Sequence, residues 1–288
     1  MQLVLNPQTS KQIDNFLANA SHALLIQGPP GSGKSTIANY IAAKLTNNSP
    51  EQIDNYSFFM RVVPKDQVIP IDDVRKAQQF MRLKTIGDNQ LRRALVIEDA
   101  HYLTTEAQNA FLKLLEEPPT DTIIILTASK GRKLLPTINS RVQHIDIKAP
   151  SKDLVVAHFS SLGSKSAEIE KSYYIAEGQM GLMTALLESS SEHPLNSSIT
   201  EAKELISSSS FERLSKIDKL NKQKEHLPEL FYALERVYKA VLTQASQQGD
   251  AAQVKRAHHA LKIVLQAEGM LKNNPNTKLL LSDLFLNL

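Results

Sequence analysis

The sequence predicts an α/β protein in which a parallel β-sheet with helices on both faces is followed by an all-helical region. Three short apolar runs of strand length, at 22–27, 94–97 and 122–127, are separated by segments with helical periodicity. Strands that alternate with helices are typical of right-handed βαβ units in a doubly wound sheet. After residue 150 the strand-like runs stop, which predicts the change to an all-helical architecture.

The helices that separate the strands are predicted at 35–45, 72–81 and 106–117, because apolar residues recur there at i, i+3 and i+4. Asp72 or Asp73 is expected to cap the second of these helices, since an acid at an N-cap accepts a backbone N–H bond. Pro118 and Pro119 are expected to end the third. These elements complete a predicted first domain over residues 1–150.

The remainder is predicted to form a small helical domain at 151–190 and a separate all-helical domain at 191–288. The stretch 189–198 is polar and contains a proline, so it reads as a linker, and the serines at 207–210 read as a second break. Long helices are predicted at 227–242, 254–271 and 278–288 from their apolar spacing.

Composition limits the classes of protein that this chain can represent. The 288 residues contain no cysteine, which excludes disulfides and thiolate zinc sites. The formal net charge of +3 is too small to indicate a nucleic-acid partner by itself. We expect no signal peptide, because the N-terminus lacks a charged and then apolar leader. No apolar run reaches the ~20 residues of a membrane span, so we expect a cytoplasmic protein without membrane contact.

Residues 28–35 carry a phosphate-binding pattern. Their sequence, GPPGSGKS, matches G-x-x-x-x-G-K-[ST] at each fixed position, between a predicted strand and a predicted helix. Glycines let successive backbone N–H groups face phosphates, and the helix dipole adds a positive end. Lys34 is predicted to reach the β and γ phosphates of ATP, and Ser35 to ligate Mg²⁺. The predicted nucleotide-binding residues are Gly28, Pro29, Pro30, Gly31, Ser32, Gly33, Lys34, Ser35 and Thr36.

Two acids, Glu98 and Asp99, follow the second predicted strand. In many nucleotide hydrolases an Asp comes first and holds Mg²⁺, and the second acid activates the attacking water. The order is reversed here, so Glu98 is predicted to serve the metal and Asp99 to polarise water. Misplacing a carboxylate by ~1 Å can slow catalysis ~10²-fold. The sequence therefore supports nucleotide binding more strongly than hydrolysis, and the alternative that both acids merely end a strand stays open.

Several segments together resemble one family. Residues 105–119 read TEAQNAFLKLLEEPP and resemble the stretch A-x-N-A-L-L-K-x-L-E-E-P-P that follows the Walker B acids in bacterial clamp-loader ATPases. Residues 135–142 resemble its L-P-T-I-x-S-R-C stretch, residues 71–75 its I-D-D-[IV]-R stretch, and residues 273–281 its N-x-N-x-K-L-x-L-E close. The chain thus resembles the AAA+ clamp-loader subunits of bacterial DNA polymerase III.

The resemblance implies a role in DNA replication. It implies a hetero-pentameric ring with gamma/tau and delta subunits, which binds ATP, opens the sliding clamp and places it on primed DNA. Arg141 matches the arginine finger that reaches the ATP of a neighbouring subunit in trans. Ser129, or else Thr127, matches the strand end at which the γ-phosphate is sensed. The three regions would be a nucleotide-binding domain, a helical lid and an oligomerising collar.

The departures from the family favour a delta-prime type subunit. No zinc is expected, because the stretch 46–70 lacks the four cysteines of the family's zinc module. Gly181 or Leu182 stands where gamma-type subunits carry an ATP-sensing arginine in the lid, and Val142 replaces the cysteine after Arg141. A gamma-like motor that hydrolyses ATP is the main alternative, and another AAA+ ATPase such as a helicase loader is a remote one.

Other polar residues carry less information. Arg75, Lys76, Arg82 and Lys84 form either a DNA-facing surface or a solvated helix face, and the second reading is favoured. His258 and His259 lack metal-ligand spacing and are expected at the surface. No acid cluster for a second metal site is present in the sequence, so we expect no polymerase active site.

Overall fold

The structure is a computed structural model that describes residues 3–85, 91–129, 131, 134–188, 194–271, 273 and 275–288. The chain divides into two compact units, Met1–Ser151 and Lys152–Leu288. Helices and strands are named below in chain order.

The first unit is a three-layer α/β structure. Its strands are β1 (Ala23–Gly28), β2 (Phe59–Val62), β3 (Arg93–Ile97), β4 (Thr122–Ser129) and β5 (Gln143–Asp146). Its helices are α1 (Pro7–Ala18), α2 (Lys34–Leu45), α3 (Ile71–Met81), α4 (Thr105–Glu116) and α5 (Pro136–Asn139). The five strands form one sheet in the order β2-β3-β4-β1-β5, and each neighbouring pair is parallel. The predicted parallel sheet is therefore confirmed.

Helices cover both faces of this sheet because the central strands are apolar at consecutive positions. Successive side chains of a strand point to opposite faces. Leu24 and Ile26 of β1 thus pack with α1 and α2 on one face, whereas Leu25 packs with α3 and α4 on the other. Since β1, β3 and β4 are buried on both sides, they read as continuous apolar runs rather than as an alternating pattern.

Parallel pairing brings the carboxyl ends of the central strands to one edge of the sheet. Gly28, the last residue of β1, pairs with Ser129, the last residue of β4. Ile97 of β3 pairs with Leu126 of β4, so the residues that follow β3 emerge at the same edge. Ligands of open α/β sheets bind at this edge.

The two edge strands were not predicted from the sequence. β2 is four residues long and half-exposed over most of its length, and β5 reads Gln-His-Ile-Asp with only Ile145 buried. Short strands of this polarity lack both the continuous run and the strict alternation that a periodicity analysis detects.

The second unit is entirely helical over its described residues. Its helices are α6 (Lys152–Ser161), α7 (Ser166–Ala176), α8 (Met180–Leu187), α9 (Pro194–Ser207), α10 (Ser210–Ser215), α11 (Ile217–Lys222), α12 (Leu227–Gln248), α13 (Ala251–Leu271) and α14 (Thr277–Asn287). One hydrophobic core runs from Val155 of α6 to Phe285 of α14. The division into a lid at 151–190 and a collar at 191–288 stays a prediction, and the two ranges share this core.

Two local predictions were wrong. The linker predicted at 189–198 is helical from Pro194 onward, because proline suits the first turn of a helix and Leu195, Ile199, Ala202 and Leu205 are buried at helical spacing; residues 189–193 lie outside the described residues. Neither Asp72 nor Asp73 caps α3, whose N-cap is Pro70. Both acids lie in the first turn, where they face the positive end of the helix dipole.

No helix among the described residues is long and apolar enough to cross a membrane.

Candidate nucleotide-binding site

The loop between β1 and α2 folds as the phosphate-binding pattern requires. Gly31 and Gly33 have φ angles of 82° and 83°, in the left-handed region that glycine adopts without a Cβ clash. Gly28 meets a different constraint, because a Cβ at this position would lie 2.7 Å from the Ser32 hydroxyl oxygen and 3.1 Å from the Cβ of Ile147. The loop leads directly into α2, which begins at Lys34, and Ser35 and Thr36 lie in its first turn.

Lys34 is a buried cation with only weak internal partners. Its side chain curls back, and Nζ donates to the carbonyl oxygens of Gly28 and Pro29 at 3.3 and 3.1 Å. Burial lowers the pKa of Lys34, while the nearby carboxylates of Asp99 and Glu98 act in the opposite direction. Because burial disfavours the charged ammonium, an anion placed beside Nζ would be strongly complementary.

Ser32 adds an unsatisfied polar group to the same loop. Its hydroxyl is buried and has no hydrogen-bond partner within the described ranges. A buried hydroxyl without a partner is unfavourable, so its position in a phosphate-binding loop fits a ligand oxygen as its partner. The loop residues therefore fit the phosphate groups of ATP.

The two residues predicted to serve Mg²⁺ are in direct contact. The Ser35 hydroxyl donates to Oε2 of Glu98 at 2.6 Å. A hydroxyl and a carboxylate supply the oxygen ligands that Mg²⁺ prefers. Glu98 also faces Arg61 of β2, whose Nε lies 3.6 Å from Oε1.

Arg61 belongs to a small polar network beside the acid. Its Nη2 contacts Oδ1 of Asp54 at 2.7 Å and donates to Oδ1 of Asn39 at 2.9 Å. The guanidinium of Arg61 is therefore shared between the carboxylates of Asp54 and Glu98. This arrangement holds a cation next to the predicted metal-binding acid, and it was missed from the sequence because β2 gives no strand signal.

Asp99 occupies a strained turn immediately after Glu98. Its φ is 45°, which is uncommon for a residue other than glycine. Its backbone N–H donates to the hydroxyl of Thr127 at 2.9 Å, so Thr127 is engaged within the fold. Ser129, in contrast, pairs with Gly28 at the mouth of the loop and is half-buried, at the strand end at which its sensing role was predicted.

Arg141 is held at the surface of the first unit by contacts away from the P-loop. Its Nη2 donates to Oε1 of Glu116 at 2.8 Å, and its Nη1 donates to the carbonyl of Thr137 at 3.0 Å and to the Ser140 hydroxyl at 3.3 Å. The side chain keeps 36% of its accessible surface. Arg141 therefore lies in the same unit as the phosphate-binding loop and the acids Glu98 and Asp99. No described contact links it to them.

Gln108 of α4 fixes the start of α5, the short helix that ends just before Arg141. Its Nε2 donates to the carbonyl of Leu103 at 3.1 Å, and its Oε1 accepts from the backbone N–H of Leu135 at 2.9 Å. Gln108 is buried, and a long polar side chain is rarely buried unless it is satisfied in this way. The apolar pattern of α4 gave no sign of this role.

Two of the other predicted polar residues, Arg75 and Lys76, have local partners. Arg75 pairs with Asp72 and Lys76 with Asp73 along α3, at 2.8 and 2.7 Å, as a solvated helix face requires. His258 and His259 are exposed on α13. In the region predicted to be the lid, Gly181 is half-exposed and Leu182 is buried.

The family described as DNA polymerase III, delta subunit, matches residues 5–151, which are 147 of the 288 residues. A gamma/tau subunit of DNA polymerase III from Mycobacterium tuberculosis is 30% identical over 43% of this chain and 24% of its own length. A delta-prime subunit from Pseudomonas aeruginosa is 30% identical over 43% of this chain and 42% of its own length. The chain thus spans less than half of either relative.

A solved structure shares the fold over almost the whole chain. The crystal structure of a gamma subunit-related protein of DNA polymerase III from Thermotoga maritima superposes with a TM-score of 0.57 at 20% identity. The match covers 97% of each chain, so it includes the helical second unit as well as the α/β unit.

Proposed function

Because this chain belongs to the DNA polymerase III delta-subunit family, we propose that it is a subunit of a sliding-clamp loader that binds ATP and supplies Arg141 to a neighbouring subunit. The observation that carries the proposal is that the chain combines an intact phosphate-binding loop with an arginine held at the surface away from that loop. The first feature serves the chain's own nucleotide, and the second is available to another subunit's nucleotide.

Nucleotide binding is supported by the state of the loop residues. Lys34 is buried against two carbonyls only, and the Ser32 hydroxyl has no partner among described residues. Lys34 would neutralise phosphate charge, the loop N–H groups would orient the phosphates, and Ser35 with Glu98 would hold Mg²⁺. Bound ATP with Mg²⁺ would supply the phosphoryl group for any transfer chemistry at this site.

Slow or absent hydrolysis by this chain is supported by its acids. Glu98 is one methylene longer than the Asp that usually holds the metal, and Arg61 lies beside it. Asp99 is one methylene shorter than the usual base and begins in a left-handed turn. Positioning dominates phosphoryl transfer, so both departures are expected to lower the rate without preventing binding. The lid positions Gly181 and Leu182 supply no cation to compensate.

The gamma-like motor is the second candidate, and one observation favours it. The Ser35 hydroxyl contacts Glu98 at 2.6 Å, so the two predicted metal ligands are already together. Under this alternative Glu98 and Asp99 perform hydrolysis in reversed roles, and Ser129 senses the γ-phosphate.

The remaining parts of the proposal follow from the family. The partners would be gamma/tau and delta subunits in a hetero-pentameric ring, the sliding clamp, and primed DNA bound through the assembled ring. Residues 1–150 would bind nucleotide, 151–190 would form the lid, and 191–288 would form the collar that joins subunits. The protein would act in the cytoplasm.

The finger role is tested by ATP hydrolysis in a loader reconstituted with its partner subunits, comparing wild type with Arg141→Ala. A finger supplied in trans is worth ~10³–10⁵ in rate at the site that it serves, so Arg141→Ala should nearly abolish turnover at one neighbouring site. Arg75→Ala is the matched control, because Arg75 is an exposed arginine of the same unit that pairs only with Asp72 in the described contacts. Equal rates for Arg141→Ala and Arg75→Ala would refute the finger.

A further inference from the structure

Two segments of the chain form hydrogen bonds with the guanidinium of Arg141. The segment just before this residue, α5 and its C-cap, supplies the Thr137 carbonyl and the Ser140 hydroxyl, at 3.0 and 3.3 Å. The third contact, Oε1 of Glu116 at 2.8 Å, comes from the C-terminal end of α4. Glu116 is thus the residue of a different element that fixes the direction in which this side chain points.

The backbone beneath Arg141 is already fixed without Glu116. Gln108 holds the N–H of Leu135, and the Asn139 amide donates to the carbonyls of Leu134 and Leu135 at 3.2 and 3.3 Å. Ile138 is fully buried and anchors the helix to the core. Losing Glu116 would therefore free the Arg141 side chain and leave its Cα in place.

Glu116 is poorly placed for the stability of its own helix. It is the last residue of α4, and Glu117 follows it at the C-cap. The C-terminal end of a helix carries partial negative charge, so an acid there is unfavourable and a cation is preferred. A residue that opposes a local preference is often retained for a function. The group that it serves is Arg141, since this is the cation that it contacts.

The contact leaves the arginine free to bind an anion. A guanidinium has five N–H donors, and the three contacts occupy at most three of them. The side chain also keeps 36% of its surface exposed. Exposed ion pairs contribute little to folding, but a carboxylate partner orders a long side chain that otherwise samples many rotamers.

We propose that Glu116 is a positioning residue for Arg141, holding the guanidinium so that its free N–H edge faces the phosphates of the neighbouring subunit's nucleotide. The proposal rests on the finger role proposed above. Ordering Arg141 before the subunits meet removes an entropic cost from the transition state of the neighbour's reaction. The carboxylate acts on the arginine and takes no part in proton transfer.

The test is steady-state ATP hydrolysis by the reconstituted loader carrying Glu116→Ala, Glu116→Gln, Arg141→Ala or the double variant Glu116→Ala/Arg141→Ala. Glu117→Ala and Glu117→Gln are the matched controls, because they remove the adjacent acid, which has no described contact with Arg141. Glu116→Ala should lower the Arg141-dependent part of kcat, which is the difference between wild type and Arg141→Ala, about three- to tenfold, the factor expected for immobilising one long side chain. KM for ATP should stay within about twofold, since ATP binds on the neighbour and the arginine acts in the transition state.

Three further readouts separate positioning from a structural role. Glu116→Gln keeps an oxygen that accepts the guanidinium N–H, so it should retain more than half of the rate. The double variant should be no slower than Arg141→Ala. The melting temperature of Glu116→Ala should equal or exceed that of wild type, because an unfavourable charge leaves the helix end.

Several results would overturn the proposal. If Glu116→Ala hydrolyses ATP as fast as Glu117→Ala, the contact between Glu116 and Arg141 does not matter for the rate. A faster Glu116→Ala would show that the carboxylate masks the arginine, and a double variant slower than Arg141→Ala would show that Glu116 acts elsewhere. If Arg141→Ala itself has the wild-type rate, the finger role fails; if only the Glu116 variants do, the finger stands and the positioning role alone fails.

Discussion

Each of the two units buries basic side chains, and two of these, Lys34 and Arg236, have opposite kinds of surroundings. Lys34 in the α/β unit is 9% exposed, and Arg236 in the helical unit is 2% exposed. Lys34 bonds only to two carbonyls of its own loop, in the described contacts. Arg236 of α12 donates instead to the Ile175 carbonyl of α7 at 2.7 Å and to the Tyr232 hydroxyl at 2.7 Å.

Arg236 also has a salt-bridge partner and a ring partner, neither of which the described contacts give to Lys34. Its Nη2 lies 3.7 Å from Oε2 of Glu177, and its guanidinium stacks over the Tyr232 ring at 4.8 Å. Ile175 and Glu177 belong to the end of α7, so the arginine connects two helices that are distant in sequence. A buried cation with partners on another element stabilises the fold, whereas one that folds back onto a glycine-rich loop remains available to a ligand.

The largest effect is expected for Arg236→Met, on the free energy of unfolding. This substitution keeps an apolar stem but leaves the Ile175 carbonyl without its donor, and it removes the ring contact. We expect the free energy of unfolding of the helical unit to fall by about 2–4 kcal/mol. Urea denaturation followed by far-ultraviolet circular dichroism measures the change.

Lys239→Met on the same helix is the control for Arg236→Met, because Lys239 is 43% exposed and pairs with Glu235 at 2.7 Å. It should shift the unfolding free energy by no more than about 0.5 kcal/mol. Equal losses for the two variants would contradict the structural role assigned to Arg236.

The next largest effect is expected for Lys34→Met, on the stability that the protein gains when MgATP binds. Wild-type protein should gain about 2.7 kcal/mol of stability when MgATP is present at 100 times its Kd, and Lys34→Met should lose most of this gain. Thermal unfolding with and without MgATP tests it, with Lys44→Met, an exposed lysine of the same helix, as the control. A full MgATP shift in Lys34→Met would contradict the assignment of the loop.

The stability of the ligand-free protein should also depend on pH through Lys34. Burial lowers the pKa of Lys34 below its ordinary value of 10.5, so the folded state releases this proton more readily than the unfolded state. The free-energy cost of burying the charged Lys34 ammonium is fully present below its pKa in the folded state. This cost is relieved as pH rises from that pKa towards 10.5. The stability of wild type relative to Lys34→Met should therefore improve over that window.

The smallest effect is expected for an exposed cation, Lys152. Its Nζ contacts Oε1 of Glu170 at 2.6 Å, and both side chains are well exposed. The hydrogen bond from Lys152 lowers the pKa of Glu170, so its small contribution is present above the ordinary pKa of 4.5 and is lost as pH falls through the folded value. Lys152→Met should lower the melting temperature by about 1 °C or less at pH 7 and by less still at pH 3. A larger shift, or one that persists at pH 3, would contradict this account.

The contrast between the units also explains what the sequence could predict. The central strands and the loop at 28–35 were predictable because continuous apolar runs and fixed glycine spacing are local signals. Arg61, Gln108 and Glu116 were not, because each matters through a contact with a residue that lies 25 or more positions away, as Glu98, Leu135 and Arg141 do. Pro194 indicated a linker in the sequence because a proline that ends one helix cannot be told, by sequence alone, from one that begins the next.

The proposed function requires that this chain bind ATP at Lys34 and Ser35 but turn it over slowly, while Arg141 serves another subunit. The sharpest test is a single-turnover measurement on a reconstituted loader whose partner subunits are present but carry substituted phosphate-binding lysines, with MgATP limiting and the bound nucleotide analysed over time, because any finger supplied in trans is then in place. Bound ATP should remain ATP for many minutes, and Lys34→Met should bind none. Conversion to ADP at about 1 s⁻¹ or faster, a rate typical of phosphoryl-transfer enzymes, would contradict the claim if Glu98→Gln abolishes it, and would identify the chain as a motor.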